Sequence, residues 1–131
     1  MDDLTSALAR TRYISLTTFR KDGTPVATPV WVAGESGVLY VWTNSESWKV
    51  KRIRRDGRVT VTPCDARGGL RKGAPTVEGR ATVLDQDGLR FVRKLLARKY
   101  TWQFWLTDLP ATLVRRGRRP HVGIKIEISS T

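Results

Sequence analysis

A small antiparallel β-barrel with short flanking helices is the fold class this sequence predicts, and three observations predict it. Runs of alternating apolar and polar residues, rich in β-branched and aromatic side chains, recur six times along the chain. Several follow one another across hairpin-type turns such as Asp22-Gly23 and Gly34-Glu35-Ser36-Gly37, which a parallel βαβ sheet would not use. The length, 131 residues, suits one compact domain over residues 1–131 and is cramped for two.

The elements follow in order. Asp2 to Ala9 has an acidic first turn and reads as a short helix with Leu4 and Leu8 on one face. Tyr13 to Phe19 alternates as the first strand, and Lys21-Asp22-Gly23-Thr24 turns it into a second over Pro25 to Ala33. The turn at Gly34 to Gly37 leads into Val38 to Thr43, completing a three-stranded meander. Polar Asn44, Ser45 and Ser47 then precede a strongly cationic helix over Trp48 to Asp56, in which Val50 and Ile53 share a face. Gly57 ends that helix, and Arg58 to Cys64 resumes strand character. Arg67 to Gly73 carries three glycines and three cations and reads as a loop or hairpin end. Thr76 to Leu84 is the next strand. Asp85 or Asp87 can cap a helix running to Tyr100, with Leu89, Val92 and Leu96 at helical spacing. Trp102-Gln103-Phe104-Trp105-Leu106 is an aromatic cluster too dense for an exposed turn, and His121 to Ile128 alternates as the last strand.

Composition narrows the chemistry. Twenty-four Lys and Arg against 12 Asp and Glu give a net charge of +12, so the chain should attract an anion: nucleic acid, anionic lipid, an acidic partner or a phosphorylated cofactor. No apolar run approaches the roughly 20 residues a bilayer requires, and the acidic opening Met1-Asp2-Asp3 does not resemble a secretory signal, so the expectation is a cytoplasmic protein without a membrane segment. One cysteine, Cys64, and one histidine, His121, leave neither a disulfide framework nor a zinc cluster to build. Neither a dinucleotide fingerprint nor a P-loop is present, no Ser-His-Asp arrangement is readable, and the carboxylates are scattered. No side chain stands out as catalytic and none as a metal ligand, so any chemistry should come from a bound cofactor. The basic runs and the five tryptophans suit a polyanion in general, but no helix-turn-helix, zinc or RNP-type signature accompanies them, which disfavours nucleic acid.

The most informative stretch runs from Trp42 to Val59. A strand ends at Thr43, a turn containing Asn44 and Ser47 opens a helix, and Lys49 stands in its first turn, where backbone N–H groups and the helix dipole already favour an anion. On a helical wheel Lys49 lies beside the Val50 and Ile53 face, whereas Lys51 and Arg55 point away from it. A solvated basic helix with no ligand is the alternative. Pro29 offers an independent hint: proline cannot donate to a ladder, so its strand should have a free edge or a bulge there, and Pro63 carries the same implication one strand later.

The order strand, Thr43-Asn44, Ser47, Lys49, helix, Asp56-Gly57-Arg58-Val59, strand resembles the flavin-binding split barrels of the pyridoxamine 5′-phosphate oxidase superfamily. The opening Tyr13 to Pro25, the segment Ala27-Thr28-Pro29-Val30-Trp31 and Val61 to Gly68 look like its actinobacterial branch that uses the deazaflavin coenzyme F420. The resemblance implies a six-stranded antiparallel split β-barrel and a homodimer whose cofactor lies between two barrels. It implies that Thr43, Ser47 and Lys49 hold the cofactor phosphate and that Ala27, Thr28, Pro29 and Val30 border the ring. Oxidase members place an arginine near the position of Thr28 and a basic residue where Trp48 stands; neither is present, which favours F420 over FMN. Lys51, Arg52 and Arg55, with Arg58, become candidates for the oligoglutamate tail of F420. Trp102, Phe104 and Trp105 would line the substrate side or lie in the dimer interface. The expected activity is hydride transfer between F420 and a small unsaturated or conjugated substrate. The alternatives are an FMN-, haem- or tetrapyrrole-binding relative without that activity, and a basic polyanion-binding module.

Overall fold

A computed structural model describes residues 3–45, 47–65, 67, 69–70, 74–107 and 121–129, without the side chains of 3, 4, 6 and 100–107. Its elements are α1 (Asp3–Arg10), β1 (Tyr13–Phe19), β2 (Pro25–Glu35), β3 (Val38–Asn44), α2 (Trp48–Arg55), β4 (Arg58–Cys64), β5 (Val77–Val83), α3 (Gln86–Thr107) and β6 (His121–Ile128). The six strands close an antiparallel barrel in the order β1-β2-β3-β6-β5-β4.

Alternation builds the interior. Ile14 and Leu16 of β1, Val30 and Val32 of β2, Leu39 and Val41 of β3, Val59 and Val61 of β4, Ala81 of β5, and Ile124 and Ile126 of β6 point inward as one apolar core. Val50 and Ile53 of α2 join it, as does Leu8 of α1. The opposite faces of β2 and β3 are covered by α3, whose Val92, Leu95 and Leu96 pack with Ala33 and against Trp31, Tyr40 and Trp42. His121 opens β6 and stacks on Trp42, ring centroids 4.4 Å apart.

Two boundaries differ from the sequence reading by more than one residue. β2 continues through Glu35, so the β2–β3 turn is only Ser36-Gly37, with φ of 54° and 80°. Two positive φ values are what a tight two-residue hairpin of the matching twist needs. Gly34 therefore belongs to the strand, where a Cβ would come within 2.4 Å of the Ala9 Cβ, so glycine is what lets α1 lie directly on β2. The second difference is α3, which runs on past Tyr100 to Thr107, making the Trp102 to Trp105 segment part of the helix. Between Tyr100 and Pro110 the sequence holds no Gly or Pro to stop a helix. Of the two candidate caps, Asp85 is the one used: its carboxylate accepts from the Gly88 N–H at 3.0 Å, while Asp87 pairs with Arg90.

The Asp65–Leu70 turn is closed by Asp65, whose Oδ1 accepts from the N–H of Arg67 and Gly69, and by a bridge between Cys64 and Leu70. Arg71 to Gly73 and the basic run Arg115 to Arg119 lie outside the described residues. Among the described residues no helix is long and apolar enough to cross a membrane.

Candidate functional site

β2 changes partner along its length. Residues 25–31 pair with β1 alone, from Phe19↔Pro25 to Tyr13↔Trp31, whereas Val32 to Glu35 pair with β3. β3 pairs on its other side with β6, from Leu39↔Ile126 to Asn44↔His121, and beyond Val41 β6 is its one strand partner among the described residues. The barrel is thus split between the first half of β2 and the end of β3, and Pro29 sits on the edge so created. Pro63 obeys the same rule: it pairs with Ile14 of β1, and β5 covers β4 only from Arg58 to Val61. Along the split edge Thr28 and Val30 turn inward, whereas Ala27 and Pro29 are exposed.

At the mouth of that split β3 ends and α2 begins. Ser47 is the N-cap of α2 in extended conformation (φ −68°, ψ 155°), yet its side chain makes no capping bond. Its Oγ is buried and has no hydrogen-bond partner among the described residues. Such a hydroxyl costs about 1–3 kcal/mol unless something satisfies it. Beside it the Lys49 ammonium donates to Thr43 Oγ1 at 3.1 Å. Burial, and secondarily the positive charge of Arg52, hold the Lys49 pKa below its ordinary value of 10.5. No carboxylate pairs with Lys49 among the described residues. A half-buried cation with one neutral acceptor, a bare hydroxyl and the first turn of a helix form a cradle for a phosphate-sized anion.

The exposed side of α2 faces a second feature. Arg20, Lys21, Trp48, Lys51, Arg52 and Arg55 line an open groove of about 630 Å³. Five of these six residues are cations and none is an acid. Trp48 is 68% exposed, with the Lys51 ammonium 4.5 Å from its ring centroid. Arg55 donates to the Phe19 carbonyl and the Arg58 guanidinium lies over the Phe19 ring, which ties α2 and β4 to the tip of the β1–β2 hairpin and brings Arg20 and Lys21 into the groove. Arg52 lines the groove and also bears on Lys49, so cradle and groove adjoin.

The sequence-derived residues divide accordingly. Thr43, Ser47 and Lys49 converge at one mouth, Ala27 to Val30 form the neighbouring edge, and Lys51, Arg52 and Arg55 share the groove. Trp102, Phe104 and Trp105 lie on the last turns of α3, and their side chains are outside the described residues. Arg58 is committed to Phe19 and Asp56 and does not line the groove. Arg20 and Lys21 were not singled out from sequence, although their position just before the Asp22-Gly23 turn signals a hairpin tip. Cys64 has its thiol pKa raised by burial and by Asp65, which opposes thiolate chemistry. Among the described residues no group of His, Cys, Asp and Glu is placed to hold a metal ion.

Comparison with known proteins gives the geometry a context. The chain is 26% identical to a conserved hypothetical protein of Mycobacterium tuberculosis, covering 99% of this chain and 82% of that one with a TM-score of 0.70. It is 26% identical to an F420 reductase, covering 99% and 96% of the two chains with a TM-score of 0.64. A FAD-binding protein of Mesorhizobium loti, 23% identical over 99% and 91%, shares the fold with a TM-score of 0.68. No curated protein sequence matches the chain. The family model described as pyridoxamine 5′-phosphate oxidase matches residues 1–130. With a six-stranded antiparallel barrel and nearly every residue inside that match, the chain belongs to the pyridoxamine 5′-phosphate oxidase family.

Proposed function

We propose that the chain is an F420-dependent oxidoreductase of the actinobacterial branch, acting on a small unsaturated or conjugated substrate. The observation that carries this reading is the half-buried Lys49 ammonium, joined to Thr43 and without a carboxylate partner among the described residues, beside the unsatisfied hydroxyl of Ser47. The similarity to an F420 reductase over nearly the whole of both chains supports it. When bound, F420 supplies hydride transfer at C5 of its deazaflavin ring.

Lys49, Thr43 and Ser47 bind the phosphodiester. Ala27, Thr28, Pro29 and Val30 present the edge of β2 to the ring and fix its orientation; because Pro29 has no N–H, that edge is poor at accepting another strand and stays available to a ligand. Lys51, Arg52 and Arg55, joined by Arg20 and Lys21, take the carboxylates of the tail. FMN fits less well, because Thr28 cannot clamp a terminal phosphate as an arginine would and Trp48 adds no charge. A second copy of the chain completes the site as a homodimer.

The groove makes this reading testable. F420 with a long glutamate tail is expected to bind more tightly than a tail-less form, with an advantage that shrinks as salt rises. The tail carboxylates meet exposed cations, where screening acts over about 8 Å at physiological ionic strength and each pair contributes about 0.2–1 kcal/mol. Tryptophan fluorescence reports binding, since Trp48 lines the groove. Equal affinity for both forms at every salt concentration would remove the groove from the site.

A further inference from the structure

One half-buried cation takes no part in the site just described. Lys99, on α3, donates to three backbone carbonyls: Ala9 at 2.7 Å, Thr11 at 2.6 Å and Val32 at 2.7 Å. A primary ammonium has three N–H donors in tetrahedral array, and these three oxygens lie within hydrogen-bond distance of it. Two of them belong to the end of α1 and the link to β1. The third belongs to Val32, and Val32 is where β2 changes partner: it lies one residue beyond the last pair with β1, Tyr13↔Trp31, and begins the pairing with β3 at Val32↔Val41. The split of the barrel starts at the residue whose carbonyl Lys99 takes.

We propose that Lys99 is a positioning residue for the cofactor edge, fixing through the Val32 carbonyl the point at which β2 leaves β3 and becomes the free edge from Pro25 to Trp31. This rests on the reading that the edge at Ala27 to Val30 borders a deazaflavin ring. Three elements meet at the ammonium, and none of them alone determines the course of β2 there. α1 lies directly on the strand at Gly34, where even a Cβ would strike Ala9, so the end of α1 and β2 are already in close contact beside the ammonium. Burial lowers the Lys99 pKa to about 8, so at neutral pH the ammonium is still the majority form and all three donors are present. A ring held against β2 depends on the position of a few peptide groups, and a strand freed at its switch point would lose that definition before it lost its side-chain packing.

The test compares Lys99→Met, which keeps an unbranched apolar stem and removes every donor, with Val59→Ala, a core truncation in β4 away from the junction. Each protein is studied at a temperature equally far below its own unfolding midpoint. Two quantities are measured: amide hydrogen exchange across Val26 to Val32 without cofactor, and F420 affinity. For Lys99→Met, exchange in that segment is expected to accelerate about tenfold relative to β5 and β6, with F420 affinity falling about tenfold. Val59→Ala should show neither local acceleration nor a comparable loss. If the two variants exchange uniformly and bind F420 alike, Lys99 contributes stability only and the proposal is wrong. Should Lys99→Met not fold, Lys99→Gln, which keeps two donors, enters the same comparison. If the wild type binds neither F420 nor FMN, the cofactor reading fails, while the exchange measurement still decides whether Lys99 sets the course of β2.

Discussion

Replacing Lys49 with alanine is expected to weaken F420 binding about 10- to 100-fold without lowering the stability of the free protein. The size of the loss follows from the contact: a charge-assisted hydrogen bond to a phosphate oxygen in a half-buried setting contributes about 1.5–3 kcal/mol. The second half of the expectation follows from what Lys49 does in the free protein. Its charge is partly stripped of water, repelled by Arg52 and offset by one neutral hydroxyl of Thr43, so its pKa is lowered and the charged form is held at a cost. Removing it forfeits the ammonium's bond to the Thr43 hydroxyl, about 1.5 kcal/mol for a charged donor, and relieves that cost, so the two effects oppose each other. A side chain kept for packing would behave otherwise, destabilising the fold when truncated. Titration of both proteins with F420, alongside thermal melts without it, separates the two roles. Unchanged affinity would take Lys49 out of the site.

The largest effect on stability is expected at Leu16. It is fully buried in β1, the strand that closes the barrel, and stands opposite Thr28 on one side and Val61 on the other. Leu16→Ala should cost about 2–5 kcal/mol, from lost apolar transfer plus the cavity left behind. A domain of this kind has about 5–15 kcal/mol in total, so the variant would forfeit a large share of it. Urea denaturation reads the change as a lower midpoint at constant slope. A loss under about 1 kcal/mol would mean that the interior at Leu16 collapses freely and that the barrel is not packed as described.

Most of the architecture is legible in the sequence because one physical signal, period-two alternation, governs both strand formation and the inside of a barrel. Val59 and Val61, or Ile124 and Ile126, announce their face without reference to any other residue. The prolines are legible for a related reason: Pro29 and Pro63 exclude a ladder bond locally, and the one-sided pairing follows. Lys49 is legible because a helix start and a wheel position are local properties. What could not be read depends on contacts between distant segments. Arg20 and Lys21 join the groove only because α2 is tied to the hairpin tip through Arg55 and Phe19, 36 residues apart. Lys99 looks like one more surface cation in a basic helix, and its role appears only when the ends of α1 and β2, 88 to 90 and 67 residues away, arrive at its ammonium. The end of α3 departs from the sequence expectation for the opposite reason: the aromatic cluster after Tyr100 reads as a separate feature, although the sequence holds no Gly or Pro to stop the helix before Pro110.

On the proposed reading, the mouth between β3 and α2 takes a deazaflavin phosphodiester in preference to a terminal flavin phosphate. Parallel titration of the purified protein with F420 and with FMN, followed by tryptophan fluorescence at several salt concentrations, tests it most directly. F420 is expected to bind more tightly than FMN throughout, by a margin widest at low salt, where the groove from Arg20 to Arg55 adds to the Lys49 cradle. FMN binding more tightly than F420 at every salt concentration would contradict the account and return the chain to the flavin-using members of its family.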